Sequence, residues 1–201
     1  SRAFRRARVP LAYSQGFHPQ PKLSFALALS VGVEGLEELA DVELASVMPP
    51  DELVARANGE LPPGLRLLKA WEVSLKDPSL ASQVVGAVYR LRVVGDGLAP
   101  VERERLISGE ACRRFLAEPS IPVQVVRKER TVEIDAKPYI LRFSPSGEWG
   151  TGWELTLKMG REGSIRPQAI LEQFFAHWQN GLAKPLLEGL QVTRTTLLLA
   201  S

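Results

Sequence analysis

The spacing of the apolar residues constrains the fold of this chain more than any other feature of its sequence. Apolar residues occupy every second position in Leu23–Val33 and alternate with acids in Leu39–Val47, so these segments predict the two strands of a hairpin. A helical stripe of apolar residues follows in Pro49–Pro62, opened by two prolines and two acids. Ser1–Arg8 is typical of the end of a helix, and Leu65–Val73 is typical of a strand. The first part of the chain therefore has the order helix, strand, strand, helix, strand.

The rest of the chain has a closely related order. Ala87–Val94 predicts a strand and Val101–Leu116 a helix, and a β-rich region follows in Val123–Met159. Arg166–Gln179 predicts a helix with a proline in its first turn, and Leu190–Leu199 predicts a final strand. Strand, helix, strands, helix, strand is the order of a split βαβ unit.

Both halves therefore predict an α+β protein of two tandem ferredoxin-like (split βαβ) domains, at residues 1–76 and 86–201. The first predicted domain lacks the opening strand that the second one has. A sheet without this strand has an empty inner position, with unpaired backbone groups beside it. We expect either an N-terminal stretch of about 20 residues or a strand from a second molecule to fill this position.

Composition limits the environment and the chemistry of the protein. The single cysteine, Cys112, has no disulfide partner within the chain, and the apolar runs are too short for a membrane span or a signal peptide. These features predict a cytoplasmic protein that is not associated with a membrane. One cysteine and two separated histidines do not form a zinc site, so no metal and no cofactor are predicted. The net charge is only +2, so attraction for polyanions depends on local patches.

Two such patches combine basic residues with aromatic ones. Guanidinium groups bind phosphates and aromatic faces stack on unpaired bases, as in the sheet-based modules that hold single-stranded RNA. Arg2, Arg5 and Arg6 have the spacing of one helix face, so we expect a continuous positive surface there. We expect the segment Gly16–Pro21 to form a rigid, exposed loop at the mouth of a groove between the domains. The candidate nucleic-acid-binding residues are Arg5, Arg6, Arg8, Tyr13, Phe17, His18, Lys22, Lys128, Arg130 and Lys137.

Each candidate also has a purely structural interpretation. Runs of charge usually form a solvated surface, and the first loop also fits a simple connection between a helix and a strand. Ser14 and His18 could supply a nucleophile and a base, but the sequence identifies no third group that orients the histidine. Glu133 and Asp135 are more typical of a solvated sheet face than of acid–base chemistry. The segment Gly147–Trp153 predicts a hairpin tip with exposed tryptophans. No catalytic residue is assigned.

Two long motifs resemble a known family. The first half contains the run RAFRRARVPLAYSQGFHPQPKLSFALALSVGVEG followed by LADVEL, and the second half contains TVEIDAKPYI followed by IRPQAIL. Together they resemble the radical-SAM-linked protein family, a bacterial family of unknown function. Its members occur alone or fused behind a cobalamin-binding-type radical SAM enzyme. Relatives commonly have an arginine where this chain has Lys137, and a lysine cannot make a bidentate contact.

The resemblance implies an accessory role, because the three-cysteine motif that binds an iron–sulfur cluster is absent. We therefore expect a non-catalytic module that binds structured or single-stranded RNA and assists a radical SAM enzyme in RNA modification. One alternative is an RNA-cleaving or RNA-modifying enzyme that uses His18 or Asp135. Another is a scaffold that binds only protein.

Overall fold

The computed structural model describes residues 1–94, 107–127, 130–146, 152–159, 165–177 and 189–200. The chain contains both helices and strands and has the predicted α+β class. It divides into two compact units. The first unit comprises Ser1–Leu27 and Leu39–Gln83, and the second unit comprises Ala28–Glu38 and Val84–Ser201.

The described helices and strands are numbered along the chain. They are α1 (Arg2–Arg6), β1 (Leu23–Phe25), β2 (Val33–Gly35), β3 (Ala40–Val42), α2 (Pro50–Asn58), α3 (Leu80–Gln83), β4 (Val84–Val93), α4 (Gly109–Ala117), β5 (Pro122–Arg127), β6 (Arg130–Asp135), β7 (Ile140–Pro145), β8 (Gly152–Lys158), α5 (Pro167–His177) and β9 (Leu190–Leu199). The bounds of β9 are those predicted for the final strand. None of the helices in the described ranges has the length and apolar character of a membrane span.

Short strands and helices of the first unit pack around a small apolar core. β1 and β3 pair antiparallel, with Leu23 opposite Val42. α2 begins at Pro50, where the missing amide of proline costs no helical hydrogen bond, and it buries Leu53 and Ala57 one turn apart. The core consists of Val9, Leu11 and Leu53, with Phe4, Ala7, Val42, Leu44, Met48, Leu67 and Ala70 packed against them.

The second unit contains a five-stranded sheet with the order β2-β9-β4-β8-β7. β2 is parallel to β9, and the other neighbours are antiparallel. When β2 and the β5–β6 hairpin are left out, the strands and the helices α4 and α5 follow the order β-α-β-β-α-β, and the last strand lies beside the first. This arrangement is compatible with a ferredoxin-like domain that has the β5–β6 hairpin inserted between α4 and β7. The tandem arrangement of two such domains stays a prediction.

An aromatic cluster holds α4 and α5 on one face of this sheet. Phe115 of α4 lies 5.3 Å from Phe174 of α5 between ring centroids. Phe174 also lies 5.0 Å from Phe143 of β7 and 5.5 Å from Trp153 of β8. All three contacts have the edge-to-face geometry that aromatic pairs prefer, and Trp153 is completely buried. The prediction of exposed tryptophans in Gly147–Trp153 is therefore wrong for Trp153; the other tryptophan lies outside the described residues.

A buried ion pair holds β2 at the edge of the second unit's sheet. The Arg194 side chain on β9 is only 2% exposed, and its Nε donates a hydrogen bond to Glu38 Oε1 at 2.8 Å. One terminal nitrogen donates to Glu38 Oε2, and the other donates to the Ala28 carbonyl at 3.2 Å. Burial lowers the pKa of Arg194, but the hydrogen bonds and charges of Glu38 and Tyr89 together outweigh burial and raise it overall. A Cβ on Gly35 would lie 2.7 Å from Glu38 Cγ, so glycine leaves room for this carboxylate.

The alternating segment Leu23–Val33 does not form the single strand that its pattern predicts. β1 ends at Phe25, and Gly32 has a φ of +82°, a left-handed conformation that interrupts the extended backbone before β2. Val31 is fully exposed, so the alternation does not mark one buried face. The chain instead passes from the sheet of the first unit to that of the second.

The strand predicted at Leu65–Val73 is wrong. Asn58, the last residue of α2, bonds both backbone groups of Leu67: its Oδ1 accepts from the Leu67 amide at 2.8 Å, and its Nδ2 donates to the carbonyl at 3.0 Å. A side-chain amide thus takes the place of a neighbouring strand at this residue. The expectation that a further strand joins the first unit stays a prediction.

The helices α2, α4 and α5 lie where the sequence predicts helices. α2 and α5 begin at or next to the predicted prolines. α4 begins after Ser108, whose Oγ accepts from the Ala111 amide at 3.1 Å and so satisfies one free donor of the first turn. Residues 101–106 of the helix predicted at Val101–Leu116 lie outside the described residues.

Candidate nucleic-acid interface

α1 places three arginines on the surface of the first unit. The helix packs through Phe4 against the core, while Arg2 and Arg5 are exposed. Arg6 is also exposed, but its Nε lies 2.8 Å from Glu60 Oε2, and a terminal nitrogen donates to the Glu60 carbonyl at 2.6 Å. Glu60 therefore offsets part of the charge of Arg6 and joins α1 to the segment after α2.

Arg8 follows α1 in a conformation that usually requires glycine. Its φ is +53°, and no other non-glycine residue in the described part of the chain has a positive φ. The Arg8 amide donates to the Arg5 carbonyl at 3.1 Å, and the Val9 amide donates to the Phe4 carbonyl at 2.9 Å. These bonds form a Schellman motif in which Arg8 holds the left-handed C′ position. This conformation costs an L-residue roughly 1–2 kcal/mol, so an exposed guanidinium occupies a site whose backbone favours glycine.

The loop between Tyr13 and Pro21, called the aromatic loop below, is closed at its base by hydrogen bonds. Tyr13 and Pro21 form an antiparallel bridge. The Ser14 amide donates to the Gln20 carbonyl at 2.8 Å, and Ser14 Oγ accepts from the Gln20 amide at 2.9 Å. Gly16 has a φ of +122°, which L side chains rarely adopt. The segment is therefore a tight loop with a fixed base.

The tip of this loop presents aromatic side chains to solvent. Phe17 has a relative exposure of 102%, and His18 is exposed as well. Tyr13 at the base is partly exposed. The expected exposure of Phe17 and His18 is confirmed, whereas the groove expected between the two domains stays a prediction.

Lys22 forms a surface ion pair with Glu43. Its Nζ lies 2.8 Å from Glu43 Oε1, and its carbonyl accepts from the Glu43 amide at 3.0 Å. Pairs exposed to this degree contribute only about 0–1 kcal/mol, so a phosphate could compete for the ammonium group. Lys22 is thus available to an anionic ligand, but less readily than an unpaired cation.

The candidate residues divide between the two units. Lys137 of the second unit donates from Nζ to the carbonyl of Glu118, at the C-terminal end of α4, at 2.6 Å, and so stabilises that helix end. Arg130 is exposed at the start of β6, and Lys128 lies outside the described residues. The candidates of the first unit are Arg5, Arg6, Arg8, Tyr13, Phe17, His18 and Lys22.

Asp135, the candidate acid or base, has a structural environment. Its Oδ1 accepts from the amides of Ile121 at 2.8 Å and Lys137 at 3.0 Å, and these bonds lower the pKa of Asp135. A general acid needs a raised pKa, so these contacts favour a carboxylate that closes the base of the β5–β6 hairpin. Glu133 Oε2 accepts from Gln124 Nε2 across the same hairpin at 3.0 Å.

The candidate nucleophiles also have structural environments. Ser14 Oγ helps to close its loop, as described above. Burial raises the pKa of the Cys112 thiol to about 11, so little thiolate, the reactive form, is present at neutral pH. Within the described ranges no three His, Cys, Asp or Glu residues lie together in a way that could hold a metal ion.

Comparison with known protein families identifies the chain at the level of its family. Residues 1–167 match the model of a family described as an uncharacterized protein conserved in bacteria, DUF2344. The chain belongs to the DUF2344 family. The matched residues include the arginines of α1, the aromatic loop and Lys137, so every candidate residue lies in the part shared with DUF2344. No curated protein matches the chain. The family description names no partner, so the association with a radical SAM enzyme stays a prediction.

Two features of this DUF2344 chain were not predicted from its sequence. One is the left-handed conformation of Arg8; the absence of glycine where α1 ends was the only available signal. The other is the ion pair between Glu38 and Arg194. Its two residues are far apart in the sequence, and no local sequence pattern indicates that they pair.

Proposed function

We propose that this protein is a non-catalytic RNA-binding module that presents RNA to a radical SAM enzyme for modification, and that its first unit contacts the RNA. The conformation of Arg8 carries the proposal. Backbone strain is retained mainly where surrounding structure or function requires it, and here the strained residue holds an exposed cation. A glycine at this position would serve the backbone better but would remove the charge.

The surroundings of Arg8 support an anionic ligand. Arg2 and Arg5 are exposed on the preceding helix, and within the described residues neither they nor Arg8 has an acidic partner. The aromatic loop follows in the same unit, with Phe17 at its tip. Cations that hold phosphates and aromatic faces that stack on bases are the two components of a single-strand binding surface.

Binding of a fluorescein-labelled RNA, followed by anisotropy at several salt concentrations, tests the electrostatic part of the proposal. Each phosphate contact to a single strand contributes a slope of roughly −0.7 to log K against log salt, so Arg2→Ala with Arg5→Ala is expected to reduce the slope by about 1.4. Arg56→Ala is the matched control, because Arg56 is an exposed helical arginine paired with Glu52. It is expected to leave the slope unchanged.

Arg8→Gly is the sharpest variant, because it removes the guanidinium and relieves the backbone in one step. We expect weaker RNA binding together with a melting temperature no lower than that of the wild type, since the relieved strain of roughly 1–2 kcal/mol covers the extra chain entropy of glycine, about 0.5–1 kcal/mol. Absent or salt-independent RNA binding contradicts the proposal. Cleavage or modification of the RNA by this protein alone, lost in His18→Ala, would instead establish an enzyme.

A further inference from the structure

Phe17 has a large apolar side chain that is exposed to solvent. The loop that carries it is held at its base by hydrogen bonds, so it does not readily rearrange to bury the ring. The relative exposure of Phe17 is 102%, whereas Phe4 of the same unit packs against the core. Two hydrogen bonds between Ser14 and Gln20, of 2.8 and 2.9 Å, hold the base of the loop together. A ligand that covers Phe17 therefore gains its burial with little cost of ordering the loop.

The ligand that fits such a ring is one with a free flat face. Every unpaired base has such a face, and stacking on aromatic side chains is tolerant of sequence. Bases within a duplex are already stacked on one another, and A-form RNA presents phosphates and the shallow minor groove instead. His18, exposed next to Phe17 in the sequence, offers a second ring on which a base can stack.

The chain between Arg8 and Phe17 limits how far apart the two residues can lie. They are nine residues apart, so at most about 32 Å separates them. At roughly 3.4 Å per stacked nucleotide, a strand of about ten nucleotides spans even this upper limit and can contact both residues at once. A strand of about three nucleotides offers the arginines fewer phosphates.

We propose that the ligand is unpaired RNA, with one base stacked on Phe17 and phosphates further along the strand bound by Arg8 and Arg5. This inference rests on the proposed RNA-binding function and specifies its substrate class. Of structured and single-stranded RNA, it selects the single strand.

The test measures the Kd of fluorescein-labelled RNAs by anisotropy in about 50 mM salt, where phosphate contacts are strong. The probes are an unstructured strand of about ten nucleotides, one of about three, and a blunt duplex containing the longer strand. Wild type is compared with Phe17→Ala, Phe17→Trp and, as a matched control, Phe25→Ala, since Phe25 is 60% exposed in the same unit. Circular dichroism checks that each variant is folded.

Wild type is expected to bind the longer strand at least about tenfold more tightly than the shorter strand or the duplex. Phe17→Ala is expected to weaken binding of the longer strand roughly 5- to 150-fold, Phe17→Trp to retain it, and Phe25→Ala to leave it unchanged. A duplex bound as tightly as the single strand, or an unchanged Kd in Phe17→Ala, overturns this inference alone. If wild type binds none of the three RNAs, the proposed function is wrong and this inference falls with it.

Discussion

Removal of the Glu38 carboxylate is expected to destabilise the second unit more than removal of any exposed carboxylate. In Glu38→Ala the Arg194 guanidinium stays buried, at 2% side-chain exposure, and keeps the Ala28 carbonyl as an acceptor but loses its counter-ion. Breaking a buried pair from one side costs about 3–5 kcal/mol. The Glu38 side chain is 21% exposed, so water can enter beside Arg194, and we expect the lower end, about 3 kcal/mol.

Urea unfolding monitored by tryptophan fluorescence measures this loss, because Trp153 is completely buried in the second unit. With a urea m-value of about 1–3 kcal/mol per molar, the midpoint should fall by roughly 1–3 M. Glu34→Ala is the matched control. Glu34 lies on β2, and Glu38 follows three residues after the end of that strand in the same segment, Ala28–Glu38, but the Glu34 carboxylate accepts only exposed hydrogen bonds from Gln191 at 3.1 Å and Thr193 at 3.4 Å. Its removal should cost no more than about 1 kcal/mol.

The reasoning would be refuted by equal losses in Glu38→Ala and Glu34→Ala. Such a result would mean that Arg194 is solvated without its partner and that the ion pair does not hold β2. Glu38→Gln adds a second check, because the amide keeps an acceptor near the guanidinium but removes the charge. It is expected to fall between wild type and Glu38→Ala.

Two further predictions concern groups whose pKa is shifted. Cys112, with its pKa raised to about 11, should react with DTNB at about pH 8 far more slowly in the native protein than after unfolding in urea; equal rates would contradict its burial. The lowered pKa of Asp135 means that its ionised form stabilises the fold above the unfolded value of about 3.9, and that this contribution is lost as pH falls through the folded pKa. Wild type should therefore melt above Asp135→Asn near neutral pH, with the gap closing in acid; a gap that does not change with pH would show that ionisation is irrelevant.

Much of the second unit's fold could be predicted from the sequence because its elements are long and locally determined. β9 has the predicted bounds, and α5 begins next to the predicted start at a proline. The errors fall where pairing depends on distant residues. Alternation in Leu23–Val33 could not show that Gly32 turns the chain towards another sheet, and the apolar residues of Leu65–Val73 could not show that Asn58 bonds Leu67.

The candidate site could also be predicted only in part: its exposed loop could be, but the partners of its basic residues could not. Glycine and proline around Phe17 and His18 indicated an exposed loop, and the structure exposes both side chains. The ion pair that occupies Arg6 and the carbonyl that accepts from Lys137 involve residues 54 and 19 positions away, which no local pattern reveals. Arg8 could not be predicted because left-handed conformations are normally inferred from glycine.

The assignment of Ala28–Glu38 to the second unit means that the polypeptide crosses between the units three times, after Leu27, after Glu38 and after Gln83. The two units are therefore not two continuous segments that follow one another in the sequence. Cutting the chain after Gln83 would produce an N-terminal fragment that still carries β2, and a C-terminal fragment in which β9 lacks its parallel neighbour. Reassembly of the two fragments would be a strand-donation reaction, with Glu38 of one fragment neutralising Arg194 of the other.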